Sequence, residues 1–366
     1  MLIDTTLREG AQLFAAYLSQ EQRKHIAVCL IEMGIDEIEL GWCGQDGVDK
    51  LASELLTIKR KTQTSIWCPC RVTDIKKAST IAVDRINIGV PVSDSHLEKR
   101  LRLSREALLE KMEDAITAAL GSGFNYVSIG LEDISRTDIP FAIEVAKKAK
   151  KVGATRIRLA DSLGLLSPNK MREVVHQFSQ IEDLEVAVHC HDDFGMATAN
   201  TITALDSGAH YGDVSLLGTG ERSGIAKTEE VLAYLLLQGS TDHYSLQGVR
   251  PLCQYLSSLA DIPISRTKAV VGRDIFAAES GLHVHGLHTL PELFEPYDPG
   301  IVGGTRKIAL GEKSGRGAVR LALQKYGVNY SADSLGKLAS MIRKNSHKHQ
   351  RPLTKEEVLG LCRNIT

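Results

Sequence analysis

Short runs of β-branched and apolar residues alternate along the chain with longer stretches in which apolar positions return every three to four residues. A period of two followed by a period near 3.6, repeated in order, predicts βα units and therefore a parallel sheet. The pattern predicts strands over residues 2–6, 35–40, 64–70, 85–90, 126–130, 156–160, 185–190 and 211–216, with helices such as 20–33, 105–122, 139–152 and 168–180 between them. Gly34, Gly123 and Gly153 stand just beyond three of those helices, where a left-handed residue ends a helix at least cost.

A doubly wound open sheet shares this alternation. The placement of polar residues separates the two architectures. Chemically capable side chains fall at the C-terminal ends of the first, third, fifth, sixth, seventh and eighth strands, and only a closed barrel gathers that many strand ends around one mouth. The expected fold class is therefore α/β: a (β/α)8 TIM barrel over residues 1–245, followed by a small, mostly helical C-terminal extension. Regular alternation fades after Tyr244. Residues 246–317 read as a Gly-, His- and Pro-rich linker and subdomain, and residues 318–366 as a small helical region.

The length of 366 residues suits a barrel of about 250 residues with a tail. A net charge of -1, with 43% hydrophobic and 24% charged residues, excludes a disordered chain and argues against nucleic acid as a partner. No apolar run approaches the length of a membrane span, and the opening MLIDTTLREG mixes acid and base, so neither a membrane segment nor a signal peptide is expected. A cytoplasmic location follows as an expectation. Seven scattered cysteines suggest reduced thiols, with Cys68 and Cys70 as buried small hydrophobes rather than half of a zinc site.

The most specific local signal is His189-Cys190-His191-Asp192-Asp193 at the end of the seventh strand. Residues two apart in a strand project to one face, so His189 and His191 can share a metal, or else pack and hydrogen-bond. The first strand runs into Asp4-Thr5-Thr6-Leu7-Arg8-Glu9-Gly10-Ala11-Gln12, placing an arginine, a carboxylate and an amide on a loop that opens at the same mouth. Two imidazoles and one carboxylate make an open site for a divalent ion with room for a chelating substrate. Taken alone, Arg8 and Glu9 also read as a surface ion pair.

The ordered segments DTTLREGAQ, SIGLEDISRTD, ADSLG, HCHDDFGMATANTITAL, GTGERSG and ESGLHVHG resemble the homocitrate and isopropylmalate synthase family, and the resemblance runs from Asp4 to about Gly317. That resemblance implies a metal-dependent barrel enzyme that condenses acetyl-CoA with a 2-oxo acid and hydrolyses the thioester. It implies Glu9, His189 and His191 as ligands of a divalent metal (Mg, Mn or Zn), Arg8 as the group that polarises the keto oxygen, and Gln12 as a substrate-positioning amide. It implies Glu132 and His283 as acid–base groups. Where the family has a further tyrosine this chain has Phe294, which leaves Tyr297 as the candidate hydroxyl. His283 lies beyond the barrel, so the resemblance also implies a homodimer with exchanged C-terminal segments, residues 246–317 completing the active site of a partner subunit.

Two departures bear on the substrate. Many relatives have Asp at the position of Glu9 and an Asn ligand at the position of Ile225; Glu and Ile together resemble the lysine-pathway homocitrate synthases. Those enzymes, however, hold the far end of their dicarboxylate with residues replaced here by Ser128, Gly130 and Arg71, which makes Arg71 the expected grip on the far carboxylate. Ser162, in ADSLG, keeps a hydroxyl for a substrate carboxylate. Ser93 and His96 stand near where relatives hold CoA. The favoured acid is 2-oxoglutarate, with oxaloacetate, its phosphonate analogue and 2-oxoisovalerate as alternatives. Acyl-CoA lyases and biotin-dependent carboxyltransferases share the barrel and metal pair but not the ESGLHVHG and LGEKSG segments; a non-catalytic relative would have no reason to keep Arg8, Glu9, Glu132, His189 and His191 together.

Overall fold

The computed structural model describes residues 1–280, 286–287 and 290–363, which divide into two compact units, residues 1–263 and 264–366. In the first, eight parallel strands close into a barrel in sequence order: β1 Leu2–Asp4, β2 Glu37–Trp42, β3 Gln63–Pro69, β4 Arg85–Pro91, β5 Val127–Glu132, β6 Arg156–Asp161, β7 Glu185–Cys190 and β8 Tyr211–Val214. β1 pairs with both β2 and β8, which completes the ring. The expected strands all form, shifted by no more than two residues at either end.

The helices follow from local chemistry. α1 (Gln20–Glu32) opens with a capping box between Ser19 and Gln22, and serines 104 and 167 cap α4 (Arg105–Gly121) and α6 (Pro168–Phe178) by accepting from backbone N–H groups. α2 (Val48–Leu55) and α3 (Val72–Ala78) lie between β2 and β4. α5 (Ile139–Val152) ends at Gly153, whose φ of 116° is a conformation that side chains rarely adopt. α7 (Ala197–Asp206) and α8 (Thr228–Leu237) flank β8. α9 (Val249–Ala260) belongs to the same unit, which runs to Pro263.

Inward-facing positions on the strands are unusually polar. Glu37 and Glu39 on β2, Asn87 on β4, Arg156 and Arg158 on β6 and Asp213 on β8 are all buried. Lower in the barrel, Arg156 makes a bidentate pair with Glu37 at 2.8 and 2.9 Å, donates to Asn87 Oδ1 at 3.1 Å and donates from Nε to Ser128 Oγ at 3.1 Å. Arg85 adds a further bond to Glu37 at 2.7 Å, and the Tyr211 ring lies under Arg156 at 4.7 Å. This layer is a plug of mutually satisfied charges beneath the barrel mouth.

Among the described residues, the second unit holds a short parallel pair, β9 (Ala277–Ala278) with β10 (Lys307–Ile308), and the helices α10 (Arg316–Tyr326), α11 (Ala332–His349) and α12 (Lys355–Arg363). Their small core includes Val319, Leu323, Leu338, Ile342, Leu353 and Val358. Among the described residues, no helix is long and apolar enough to cross a membrane.

Candidate active site

The C-terminal ends of the strands surround a cavity of about 370 Å³. β1 ends early, at Asp4, and its continuation turns so that Arg8 and Glu9 are buried against the mouth. Alternation on β7 brings His189 inward at the strand end and His191 just beyond it, as the sequence pattern requires. Ligating atoms of Glu9, His189 and His191 lie within 4.8 Å of one another, and His189 Nε2 is 3.8 Å from a Glu9 oxygen.

The surroundings prepare these groups. His189 Nδ1 meets Asp213 Oδ2 at 2.8 Å, which fixes the ring and leaves Nε2 facing the cluster. Burial, with help from His189 and Arg222, lowers His191 to about 3, so that it is neutral at physiological pH, and its buried Nδ1 has no hydrogen-bond partner among the described residues. Burial alone would raise the Glu9 carboxyl, but Arg8 and the two imidazoles bring it down to about 2. An ionised carboxylate, the neutral His191 imidazole with its orphaned buried nitrogen and the His189 imidazole beside it suit a divalent cation of mixed N/O preference. Gly220 leaves room for Glu9, since a Cβ there would lie 3.0 Å from its Cγ, and the Glu221 N–H donates to Glu9 at 3.3 Å. Ile225 is buried and bridges His191 through backbone, and its side chain offers no ligand atom.

Arg8 donates to Glu39 at 2.5 Å and to Glu9. Burial opposes its charge, yet the two carboxylates more than compensate and raise its pKa, so the guanidinium stabilises charge and does not transfer protons. Glu132, at the end of β5, lines the same cavity. Its pKa is raised, chiefly by burial, against the pull of Arg100 at 3.9 Å. Gln12 is exposed at the rim, and Ser162 also lines the cavity, where its hydroxyl accepts from the Asp133 N–H at 2.9 Å.

The remaining expected residues are placed differently. Arg71 precedes α3, is 63% exposed and pairs with Asp74 at 2.8 Å; it lines an adjoining cavity that shares Trp67, Gly89 and Glu132 with the first. Ser93 is fully buried and donates to Asp133 at 2.5 Å, tying the β4 loop to the β5 loop, whereas His96 lines the cavity and lies 3.9 Å from Asp133. Tyr297 belongs to the second unit, where its ring meets Phe276 edge-on at 5.7 Å. His283 lies outside the described residues. Trp67, Asn87 and Arg158 also line the cavity and Asp213 supports it through His189, and none of the four is among the expected site residues. The available signal was the pair of matched spacings Glu37-Ile38-Glu39 and Arg156-Ile157-Arg158, charges at alternate positions of apolar strands.

Residues 1–255 match the family model described as HMGL-like, and residues 270–350 match the one described as homocitrate synthase post-HMGL domain-like. The chain belongs to the HMGL-like family. Within it, the chain is 34% identical to a 2-isopropylmalate synthase of Caldanaerobacter subterraneus subsp. tengcongensis over 100% of its own length and 95% of the relative's. It is 36% identical to a homocitrate synthase of Frankia alni, covering 88% and 93%, and 34% identical to an (R)-citramalate synthase of Methanocaldococcus jannaschii, covering 100% and 74%. This HMGL-like protein is an enzyme of the condensing-synthase type. Its fold is similar to that of the hydroxymethylglutaryl-CoA lyase of Pseudomonas aeruginosa, with a TM-score of 0.63 at 18% identity over 73% of this chain and 94% of the lyase.

Proposed function

We propose that the protein condenses acetyl-CoA with 2-oxoglutarate to give homocitrate. The observation that carries the condensing chemistry is the meeting of Glu9, His189 and His191 beside Arg8 and Glu132 in one cavity. The pairing of Glu9 with Ile225, and relatives named homocitrate synthase, support this choice of acid. A divalent metal held by Glu9, His189 and His191 would supply a Lewis acid for the keto and carboxylate oxygens of the 2-oxo acid.

The side chains account for the rest. Glu132, its carboxyl made more basic by burial, takes a proton from the acetyl methyl group. The methyl carbon then bonds to the keto carbon, and the electron pair displaced onto the keto oxygen is stabilised by the Arg8 guanidinium before it is protonated. Ser162 and Gln12 orient the acid, and water cleaves the thioester to release CoA. His283 and Tyr297, contributed by a partner subunit in an exchanged dimer, complete the acid–base set, and His96 holds part of the CoA.

The deciding experiment follows CoA thiol release from acetyl-CoA with 2-oxoglutarate, oxaloacetate, 2-oxoisovalerate and pyruvate in the presence of Mg or Mn. Highest kcat/KM with 2-oxoglutarate is expected. Highest turnover with 2-oxoisovalerate or pyruvate would contradict the choice of acid, and no turnover with any acid would contradict the condensation.

A further inference from the structure

Above the closed plug, a second arginine on β6 is left incompletely paired. Arg158 is 4% exposed and lines the cavity. Its Nη1 donates to Glu39 Oε1 at 3.0 Å, and its Nε lies 3.1 Å from Asp213 Oδ2 without the alignment of a hydrogen bond. Nη2 has no partner. Nε and Nη2 form one edge of the guanidinium, the edge that takes a carboxylate through two parallel bonds. Asp213 therefore balances the charge at Nε but leaves the Nη2 end of this edge without an acceptor, and a buried donor left so is costly unless a ligand supplies one.

Room for that ligand lies beside it. Gly130 on β5 pairs directly with Arg158, and Gly89 on β4 pairs with Gly130. Gly89 is glycine because a Cβ there would run into Glu132 and lie 2.7 Å from the Trp67 ring. Gly130 has no such reason: a Cβ would meet only backbone atoms at 3.7 and 3.8 Å, and its φ is not in the left-handed region. The missing side chain therefore leaves space at the level of Arg158. That level lies two residues, about 7 Å of strand, deeper than Ala160, which pairs with the metal-ligand candidate His189.

We infer that Arg158, with the space left by Gly130, is the subsite that selects a 2-oxo acid carrying a second carboxylate. The assignment rests on the condensing reading and deepens it. An acid anchored by its 2-oxo carboxylate end at the Glu9–His189–His191 cluster extends its side chain down toward the β6 arginine, where an apolar branch would leave Nη2 unpaired and a carboxylate would satisfy it. Arg71, paired with Asp74 and lining the adjoining cavity, is then not needed for this contact.

The test measures binding of 2-oxoglutarate, oxaloacetate and 2-oxoisovalerate to the Mn-loaded full-length chain by calorimetry without acetyl-CoA, with CoA release followed separately. The wild type should bind a dicarboxylic acid about 100-fold more tightly than 2-oxoisovalerate, and Arg158→Gln, which keeps a donor for Glu39, should erase most of that preference. Gly130→Val, which retains Arg158 and fills the space before it, should weaken the dicarboxylic acid about 10-fold while Mn affinity holds. An undiminished preference in Arg158→Gln overturns the assignment, as does equal binding of all three acids by the wild type. If Arg158→Gln fails to fold or loses Mn, Gly130→Val decides, and unchanged dicarboxylate binding there also overturns it. Absence of CoA release with every acid would end the condensing reading while the binding ratio still judges Arg158.

Discussion

The barrel interior contains the same pairing twice, and the two copies behave oppositely. Glu37 with Arg156 forms the lower layer and Glu39 with Arg158 the upper, each pair spanning β2 and β6 two residues apart. Below, the guanidinium nitrogens of Arg156 all bond to protein acceptors, and Tyr211 packs under the charge. Above, Glu39 is divided among Arg8, Asn87 and Arg158, Asp213 is drawn to His189, and one edge of Arg158 goes without hydrogen bonds. A buried charge network that is fully satisfied holds structure; one left partly open at a cavity can hold ligand. The contrast comes from position along the strands, because only the upper layer reaches the ends where loops bring in Arg8 and Glu9.

The largest effect is expected at the mouth. His191→Ala should abolish both metal binding and CoA release, and full activity in that variant would remove the ligand assignment. If residues from a partner complete the site, His283→Ala should also be inactive, and an equal mixture of the two variants should recover about one quarter of wild-type activity through mixed dimers. No recovery would argue against exchange.

Next comes the lower layer. Arg156→Met leaves the buried Glu37 carboxylate with Arg85 and Ser65 in place of its bidentate partner and should cost about 3–5 kcal/mol of stability in chemical denaturation, with Mn affinity in the folded protein retained. Loss of Mn affinity without loss of stability would erase the distinction between the layers. In the upper layer the opposite pattern is expected: Asp213→Asn should weaken Mn binding by about 10- to 100-fold, because the acceptor that orients His189 is lost, with a smaller change in stability.

The smallest and sharpest effect concerns pH. Burial raises the Glu132 carboxyl, and a base must be ionised to act, so kcat/KM should fall as pH drops through a value above the ordinary carboxylate range. Glu132→Gln should lose that acidic limb together with most of its activity. A limb left unchanged in the residual activity would assign the titration to another group.

The barrel was legible because period and glycine placement are local: the strands formed within two residues of their expected bounds, and Gly153 ends its helix as anticipated. His189 and His191 were legible because alternation along one strand fixes their common face. The direction of a loop residue carries no such rule, so Arg71 turned to Asp74 and Ser93 to Asp133, each satisfied by a neighbour that the sequence does not rank above any other. Arg158 escaped notice for a different reason. Its partners Glu39 and Asp213 lie 119 and 55 positions away, and only the closed ring brings β2, β6 and β8 around one interior.

In the proposed reaction Glu9, His189 and His191 hold a divalent ion on which condensation of acetyl-CoA with a 2-oxo acid depends. CoA release with 2-oxoglutarate should therefore be measured on protein stripped by chelator and then titrated with Mn. Activity should vanish on stripping and return in proportion to one bound ion per chain, with no return in His191→Ala. Full turnover by the stripped protein, or restoration of His191→Ala by Mn, would contradict the account.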